Sequence, residues 1–361
     1  MQIGIVGLPY SGKSTLFATL LARKSDDEAG KYQHEAERGI IKIPDERLNK
    51  LTEIFKPKKQ VNATIEYIKV PGFEKDTGKT SGLPASFLAN IKTVDVILLL
   101  IRDFENEMFP HPMEKIDPLR DIRFIQTEFM LSDLSIIETR IDKLAKLIMK
   151  TQDEKDKREL AVLKSCQEQL EQEQPLIGLA LSEAEELLIK GYQFLSIKPA
   201  LYVLNIDESR LPQSENIITE LKSKLPPGSV ATALSVEIEK EISQLNPEDA
   251  AMFLEDLNIT EPATDKMIHL SYQLLGLQSF FTVGDVECHA WTIKKGTKAH
   301  QAAGVVHSDF EKGFIRAEVV PYDTLIEHGS WSVCRDKGLI RLEGKEYIVQ
   351  DGDIISVRFN V

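Results

Sequence analysis

The residues best suited to chemistry stand near the N-terminus, in the segment G-L-P-Y-S-G-K-S at positions 7–14. This segment fits the pattern G-x-x-x-x-G-K-[ST]. Gly7 and Gly12 allow successive backbone N–H groups to turn toward a phosphate, because glycine has no Cβ to obstruct them. Lys13 can reach the β- and γ-phosphates of a nucleotide and act there in catalysis, and Ser14 can bind Mg²⁺. The segment therefore predicts a phosphate-binding loop.

Such a loop needs a strand before it and a helix after it, and the sequence supplies both. Residues 2–7 are predicted to form a short buried strand, and Thr15 lies in the first turn of an amphipathic helix. The N-terminus of that helix adds its partial positive charge to the phosphate site. The predicted nucleotide-binding residues of the loop are Gly7, Pro9, Tyr10, Ser11, Gly12, Lys13, Ser14 and Thr15.

Further apolar strands alternate with helical segments along the first two thirds of the chain. The alternation predicts an α/β fold with a doubly wound parallel sheet. The predicted strands are residues 39–45, 64–70, 94–101, 199–205 and 230–235. In the first connection Asp45 is predicted to cap a helix that places Leu48 and Leu51 on one face.

Between these strands the sequence has a heptad pattern. Apolar residues alternate at spacings of four and three at positions 130, 134, 137, 141, 144 and 148. A charged stretch at 151–158 is predicted to turn the chain into a second helix that ends before Pro175. We interpret this region as an antiparallel helical hairpin inserted into the α/β domain, where the apolar residues pack rather than form a site.

After Gly276 the sequence consists of short predicted strands with one helix at 322–328. The strands are predicted at 280–283, 287–293, 314–319, 347–350 and 353–359. A small, half-open sheet carrying one helix is the simplest interpretation.

Composition restricts the class of protein. A chain of 361 residues is expected to form two or three domains. The net charge of −13 excludes a generally basic nucleic-acid binder, so no DNA partner is expected and RNA contact requires a local patch. Three separated cysteines predict reduced thiols in the cytoplasm. No apolar run approaches the roughly 20 residues of a membrane span, so no membrane partner is expected.

Several longer segments resemble the YchF/Obg-like ATPases, a family of P-loop NTPases, over nearly the full length of the chain. These segments are residues 87–91, 94–95, 117–121, 205–208, 274–277, 290–296, 303–318 and 349–361. The resemblance implies a P-loop (OBG-type) G domain at residues 1–120 and 198–276, a coiled-coil insertion at 121–197, and a β-grasp-like TGS domain at 277–361.

The resemblance also implies a function. It implies hydrolysis of ATP in the cytosol and association with ribosomes and ribosomal RNA. The family's proposed catalytic histidine corresponds to His111, and Phe73 stands where Ras-like proteins keep a glutamine. Basic residues of the C-terminal domain could contact RNA phosphates, namely Lys294, Lys295, Lys298, Lys312 and Arg316.

The turn at 205–208 bears on the choice of base. Classical GTPases use Asn-Lys-x-Asp, whose aspartate accepts both N–H groups on the Watson–Crick edge of guanine. Here Asn205 is followed three residues later by Glu208, whose longer side chain weakens that paired contact by about 1–3 kcal/mol. Ser235, after the next strand, is predicted to lie beside the base. We therefore expect ATP to bind more tightly than GTP.

The sequence departs from the family in its metal-binding motifs. The family's Asp-x-x-Gly turn, whose aspartate holds the Mg²⁺ shell, is Lys69-Val70-Pro71-Gly72 here, and Gly72 is a predicted nucleotide-binding residue. The switch threonine falls on Gln33. Ser14 is then the remaining metal ligand, and weakened Mg²⁺ dependence is expected. In one hypothesis the Lys69 ammonium replaces the metal. In the other it points to solvent, and Glu66 or Asp95 serves the metal.

Three functions remain open at this point. The chain is an ATPase switch acting on the ribosome, or a nucleotide-binding scaffold that has lost most hydrolysis. A third reading, a small-molecule kinase, would need a lid and an acceptor pocket. Whether the chain is an enzyme depends on how far Lys69 and Gln33 impair hydrolysis.

Overall fold

A computed structural model describes residues 1–22, 37–71, 83–226, 228–257, 259 and 261–360. The predictions for Gln33, Gly72 and Phe73 lie outside these residues. The chain divides into two units. Unit 1 contains Met1–Gly39 and Glu66–Met267, and unit 2 contains Ile40–Ile65 and Ile268–Val361.

The strands are numbered in chain order. They are β1 (Gln2–Val6), β2 (Glu37–Lys42), β3 (Lys59–Val61), β4 (Thr64–Lys69), β5 (Val96–Asp103), β6 (Ala200–Ile206), β7 (Val230–Leu234), β8 (Leu277–Thr282), β9 (Glu287–Lys294), β10 (Phe314–Pro321), β11 (Arg341–Glu343) and β12 (Asp353–Phe359).

The α-helices are numbered in the same way. They are α1 (Lys13–Ala22), α2 (Glu46–Phe55), α3 (Ala85–Ile91), α4 (Pro118–Thr151), α5 (Glu154–Glu171), α6 (Glu183–Ile189), α7 (Ser214–Lys224), α8 (Val236–Gln244), α9 (Pro247–Asp256), α10 (Ala263–Leu274), α11 (Ala299–Val306), α12 (Ser308–Lys312), α13 (Tyr322–His328) and α14 (Trp331–Asp336).

The first sheet has the strand order β2-β4-β1-β5-β6-β7. Strand β1 pairs in parallel with β4 and β5, and β5, β6 and β7 continue the parallel pairing. Seven consecutive residues of β5, from Val96 to Arg102, are at most 2% exposed, which agrees with a strand covered on both faces. The predicted α/β fold is confirmed, and the carboxyl ends of β1, β5, β6 and β7 meet at one edge of the sheet.

The predicted helical hairpin is formed by α4 and α5. Ile137 and Leu144 of α4 are fully buried against Leu163 of α5, in the heptad positions that the sequence indicated. The turn between the helices is shorter than predicted. Gln152 takes a left-handed conformation and Asp153 caps α5 by accepting from backbone N–H groups, so the new helix begins at once.

A buried carboxylate fastens this hairpin to the chain that follows it. Asp133 of α4 has no exposed surface. Its Oδ1 accepts from the N–H of Leu195 at 2.9 Å, and its Oδ2 accepts from the N–H and the hydroxyl of Ser196 at 2.8 and 2.7 Å. The carboxylate thus pairs three donors that have been removed from water.

Replacing Asp133 by alanine should destabilise the protein strongly. The change leaves two backbone donors and one hydroxyl buried without their acceptor, which we expect to lower the free energy of unfolding by about 3 kcal/mol. The measurement is urea unfolding followed by circular dichroism. Asp142→Ala, on the exposed side of the same helix, is the control and should cost under about 0.5 kcal/mol. Equal stability of the two variants would contradict the prediction.

Unit 2 contains a mixed sheet in the order β11-β10-β12-β8-β9-β3. The pairs β10–β12 and β8–β9 are antiparallel, whereas β12–β8 and β3–β9 are parallel. Asp45 caps α2 as predicted, by accepting from the N–H of Arg47 at 3.0 Å.

Two predictions for this unit were wrong. Residues 347–350 form no strand, because the N–H of Gln350 donates to Asp353 and only an isolated bridge joins Ile348 to Lys298. The single helix predicted at 322–328 is accompanied by α11, α12 and α14. Along the parts of the chain that the structure describes, no helix is long and apolar enough to cross a bilayer.

The two units do not follow the three predicted domain boundaries. Residues 40–65 group with the C-terminal residues, and the helical hairpin groups with unit 1. The three-part division at residues 120, 197 and 276 therefore stays a prediction.

Candidate nucleotide-binding site

A cavity of about 640 Å³ opens at the carboxyl edge of the first sheet, a volume within the range of small-molecule sites. The phosphate-loop segment, the end of β5, the end of β6 and the start of α8 contribute its walls. Its lining includes eight predicted site residues: Tyr10, Gly12, Lys13, Ser14, Thr15, Asn205, Glu208 and Ser235. The position agrees with the rule that open parallel sheets bind ligands at the carboxyl ends of their strands.

Two glycines of the loop have no space for a side chain. A Cβ on Gly7 would lie 2.3 Å from the carbonyl oxygen of Leu100, and one on Gly12 would lie 2.6 Å from Nδ2 of Asn205. Gly12 also has a φ of +99°, a region that favours glycine. The loop is therefore drawn against β5 and β6 by contacts that only glycine permits.

Lys13 is buried at the centre of the loop. Its Nζ donates to the carbonyl oxygens of Gly7 and Leu8, at 2.8 Å in both cases. Burial, reinforced by the positive charge of Lys69, lowers the pKa of Lys13 to about 8. The loop thus holds the Lys13 ammonium against its own carbonyl groups. A bound phosphate can replace these carbonyl groups as the acceptor of its hydrogen bonds.

Binding of a nucleotide triphosphate should therefore become weaker as the pH rises through 8. Above that pH the free protein increasingly carries a neutral Lys13 amine, whereas a bound phosphate favours the ammonium, so binding takes up a proton. The affinity should fall by up to about tenfold per pH unit, because the terminal phosphate, with a pKa of about 6, is already ionised. Calorimetric titrations in buffers of different ionisation enthalpy measure the proton uptake. Constant affinity with no uptake would contradict this expectation.

Asn205 connects the loop to the opposite wall. Its Nδ2 donates to the carbonyl of Ser11 at 3.1 Å, and its Oδ1 accepts from the N–H of Val236 at 3.0 Å. The side chain is buried, as is Ser235, which precedes α8. Asn205 therefore sets the distance between the phosphate end of the cavity and the end formed by Glu208 and Ser235.

Not all predicted residues line the cavity. Among the described residues, Gly7, Pro9 and Ser11 belong to the loop without lining the cavity, and Gly72 lies outside the description. Sequence reasoning missed Arg102, Phe104 and Phe109 as lining residues. Arg102 could have been found, because a charge that ends the apolar run of β5 marks the edge of a parallel sheet where ligands bind.

His111 is not brought to the cavity. Its side chain is 2% exposed, and Nε2 lies 2.9 Å from Oδ2 of Asp121. Its Nδ1 accepts from the N–H of Met113 at 3.1 Å. A catalytic role for His111 requires the segment that carries it to move, and it stays a prediction.

The hypothesis that Lys69 points to solvent while Glu66 or Asp95 serves the metal was wrong, whereas replacement of the metal by the Lys69 ammonium stays a prediction. The Lys69 ammonium forms an ion pair with Glu37 and lies 5.9 Å from the centre of the Phe17 ring, so it does not point freely into solvent. Glu66 and Asp95 hydrogen-bond to Gln2, at 2.9 and 2.8 Å, where β1 begins.

The phosphate loop starts where β1 ends. The five residues of β1, a length of about 16 Å, separate this loop from the strand's start, where Glu66 and Asp95 lie. The two carboxylates at the start of β1 therefore cannot reach a metal bound at the phosphate loop.

The donor set around the cavity fits a nucleotide better than it fits a tightly held metal. Ser14 offers one hydroxyl to a cation. Within the described part of the chain, no group of three or more His, Cys, Asp or Glu is arranged to hold a metal ion. Ser14 as the ligand of Mg²⁺ therefore stays a prediction.

A strand, a glycine-bounded loop with a buried lysine, a helix and an asparagine turn facing them define a P-loop nucleotide-binding protein. Residues 2–176 match a family model described as a 50S ribosome-binding GTPase. Residues 277–360 match the model YchF-GTPase_C, described as a protein of unknown function.

Relatives match over the whole chain. A protein of Bacillus subtilis named "Ribosome-binding ATPase YchF" is 40% identical, with 100% of both chains covered. A protein of the same name from Haemophilus influenzae is 41% identical, covering 100% of this chain and 99% of its own. The solved structure of the Schizosaccharomyces pombe YchF GTPase superposes with a TM-score of 0.87 at 30% identity, over 99% of this chain and 97% of that one. The chain belongs to the YchF family.

Proposed function

We propose that this protein binds ATP in the cavity, binds GTP more weakly, and hydrolyses ATP slowly as a switch that acts on the ribosome. The observation that carries the proposal is the convergence of Lys13 and Asn205 on one cavity. Lys13 supplies the charge for a triphosphate, and Asn205 fixes the opposite wall. The names of the full-length relatives support the choice of ATP and of the ribosome.

The end of the cavity near Glu208 supports a preference for adenine. Asp207 turns its carboxylate back on Ser209, accepting from the N–H at 3.0 Å and from the hydroxyl at 2.6 Å. Glu208 is exposed, lines the cavity and is one methylene longer than the aspartate of GTPases. A guanine would therefore lack the preorganised paired contact that discriminates in its favour by about 1–3 kcal/mol.

Weak dependence on Mg²⁺ is the second part of the proposal. Lys69 occupies the position of the family's metal-binding aspartate, and its positive charge contributes to lowering the pKa of Lys13. When bound, Mg²⁺ neutralises phosphate charge, and part of that task falls here to Lys13 and Lys69. Ser14 is the proposed metal ligand.

Replacing Lys69 by aspartate should restore the dependence on metal. We expect Mg²⁺ to tighten ATP binding to Lys69→Asp at least about tenfold more than binding to the native protein, because a carboxylate both repels bare phosphate and attracts the ion. Glu37→Gln is the control, since it removes the ion pair and keeps the ammonium. ATP titrations with and without Mg²⁺ provide the measurement. An equal effect of metal on native protein and Lys69→Asp would overturn this part.

Hydrolysis separates the switch from its alternative, a nucleotide-binding scaffold. The burial of His111 beside Asp121 favours the scaffold for the free protein, so we expect turnover to rise when ribosomes are added. Phosphate release is measured with and without ribosomes, on native protein and on His111→Ala. Stimulated release that is lost in His111→Ala, at unchanged ATP affinity, supports the switch. No release above background in any sample would favour the scaffold.

Unit 2 is the proposed contact with ribosomal RNA. Lys294, Lys295, Lys312 and Arg316 are exposed, and none of them forms an ion pair with another described residue. Lys298, by contrast, pairs with Glu346. Exposed cations without a partner are suited to phosphate contacts whose strength falls with salt. Ribosome binding and a cytoplasmic location are proposed together.

A further inference from the structure

The cavity contains a buried arginine, Arg102, that nucleotide binding by Lys13 and Asn205 does not explain. Arg102 lies near the end of β5, is 2% exposed and lines the cavity. No ion pair joins it to a carboxylate among the residues that the structure describes. Burial lowers the pKa of Arg102, an effect that the charge of Glu105 only partly opposes. A buried guanidinium without a close counter-ion is costly, so it needs an explanation.

The guanidinium holds the segment that follows β5. Its Nε donates to the carbonyl of Phe104 at 3.0 Å, and its Nη1 donates to the carbonyl of Phe109 at 2.8 Å. The Phe104 ring lies 4.7 Å from the guanidinium carbon. Two points of attachment five residues apart, together with the ring contact, fix the course of residues 104–109 beside the cavity.

Phe109 in turn contacts the phosphate loop. Its ring stacks on Tyr10 with centroids 5.3 Å apart and planes inclined by 26°. Tyr10 has a φ of +61°, an unusual conformation for a bulky residue. Both rings line the cavity, although about half of each side chain is exposed to solvent. A strained backbone conformation persists where neighbouring residues stabilise it, and the ring of Phe109 is the neighbour that stabilises Tyr10.

We propose that the Tyr10–Phe109 pair is a nucleotide-retaining wall of the cavity and that Arg102 is the residue that positions it. The inference rests on the proposed function, since it takes a purine nucleotide as the occupant. The pair would cover one side of the cavity, between the phosphate loop and segment 104–109, so that opening of the stack speeds the release of a bound nucleotide. The dissociation rate is then set by the stack and by its anchor at Arg102.

Dissociation rates of a fluorescent ATP analogue, measured by stopped flow after displacement with ATP, test the proposal. Phe109→Ala should release the analogue about tenfold faster, which is the loss expected for one aromatic pair. Tyr10→Gly should do the same, and the double variant should release no faster than either single variant, because all three lack the same stack. Met108→Ala is the matched control, since Met108 is an exposed neighbour in the same segment.

A separate variant tests whether Arg102 positions the stack. Arg102→Lys keeps the positive charge and loses the two-point attachment, so it should match the release rate of Phe109→Ala while its association rate stays near that of the native protein. A merely structural role would lower the unfolding midpoint without changing release. Native release rates in Phe109→Ala or in Arg102→Lys, or additive effects in the double variant, would overturn the proposal. Failure of the native protein to bind the analogue would instead refute the proposed function.

Discussion

Lys13→Ala should lower the affinity for ATP at least about 100-fold, which corresponds to about 3 kcal/mol of binding free energy. Among the described residues, the buried ammonium donates only to two carbonyl groups of its own loop, so its charge is available to a phosphate. Hydrogen bonds to charged groups contribute about 1.5–3 kcal/mol each, and the low-polarity setting strengthens them. The loss should therefore exceed that for any exposed lysine.

The measurement is a calorimetric titration with ATP. Lys222→Ala is the control, since Lys222 lies exposed on α7 and outside the cavity. Circular dichroism should give the same spectrum for both variants. An affinity of Lys13→Ala within about threefold of the control would show that the loop does not hold the triphosphate.

Asn205→Ala should have the second-largest effect, and it should lower both stability and affinity. The change leaves the carbonyl of Ser11 and the N–H of Val236 unpaired in a buried setting. Each unsatisfied group costs about 1–3 kcal/mol, so the free energy of unfolding should fall by about 3 kcal/mol. The phosphate loop also loses its connection to α8, and the ATP affinity should fall about tenfold or more.

Urea unfolding and ATP titration measure the two effects on the same samples. Asn216→Ala, exposed on α7, should change neither quantity. An unchanged free energy of unfolding in Asn205→Ala would contradict the bridging role. A lowered free energy of unfolding with unchanged ATP affinity would show that Asn205 stabilises the fold without shaping the nucleotide site.

The phosphate loop was predictable because its chemistry is local. Glycines at positions 7 and 12, followed by Lys13, lie within one strand–loop–helix unit, and the spacing alone sets which backbone groups face the phosphate. The parallel sheet was predictable for a related reason, since apolar runs such as β5 alternate with helices.

The misplaced carboxylates show that strand direction carries information that residue type does not. Glu66 lies in the first half of β4, beside Gln2 at the start of β1, and Asp95 directly precedes β5, so strand direction places both at the amino edge of the sheet. The metal site had to be at the carboxyl edge, where the loop lies. A search for acidic residues without regard to strand direction therefore selected the wrong pair.

The position of His111 depended on tertiary packing that the sequence does not reveal. The loop histidine turns inward to Asp121 in the first turn of α4, a partner ten residues away on another element. The short helices of unit 2 were missed for a similar reason. A segment such as Ala299–Val306 has small apolar residues that suit a strand or a helix, and packing decides between them.

The central claim is that the cavity beside Lys13 and Asn205 binds a purine triphosphate and prefers adenine. Calorimetric titration of the native full-length chain with ATP and then with GTP tests it most directly. We predict saturable binding of one ATP per chain, with GTP at least about fivefold weaker. Absence of binding by both nucleotides, with and without Mg²⁺, would contradict the account.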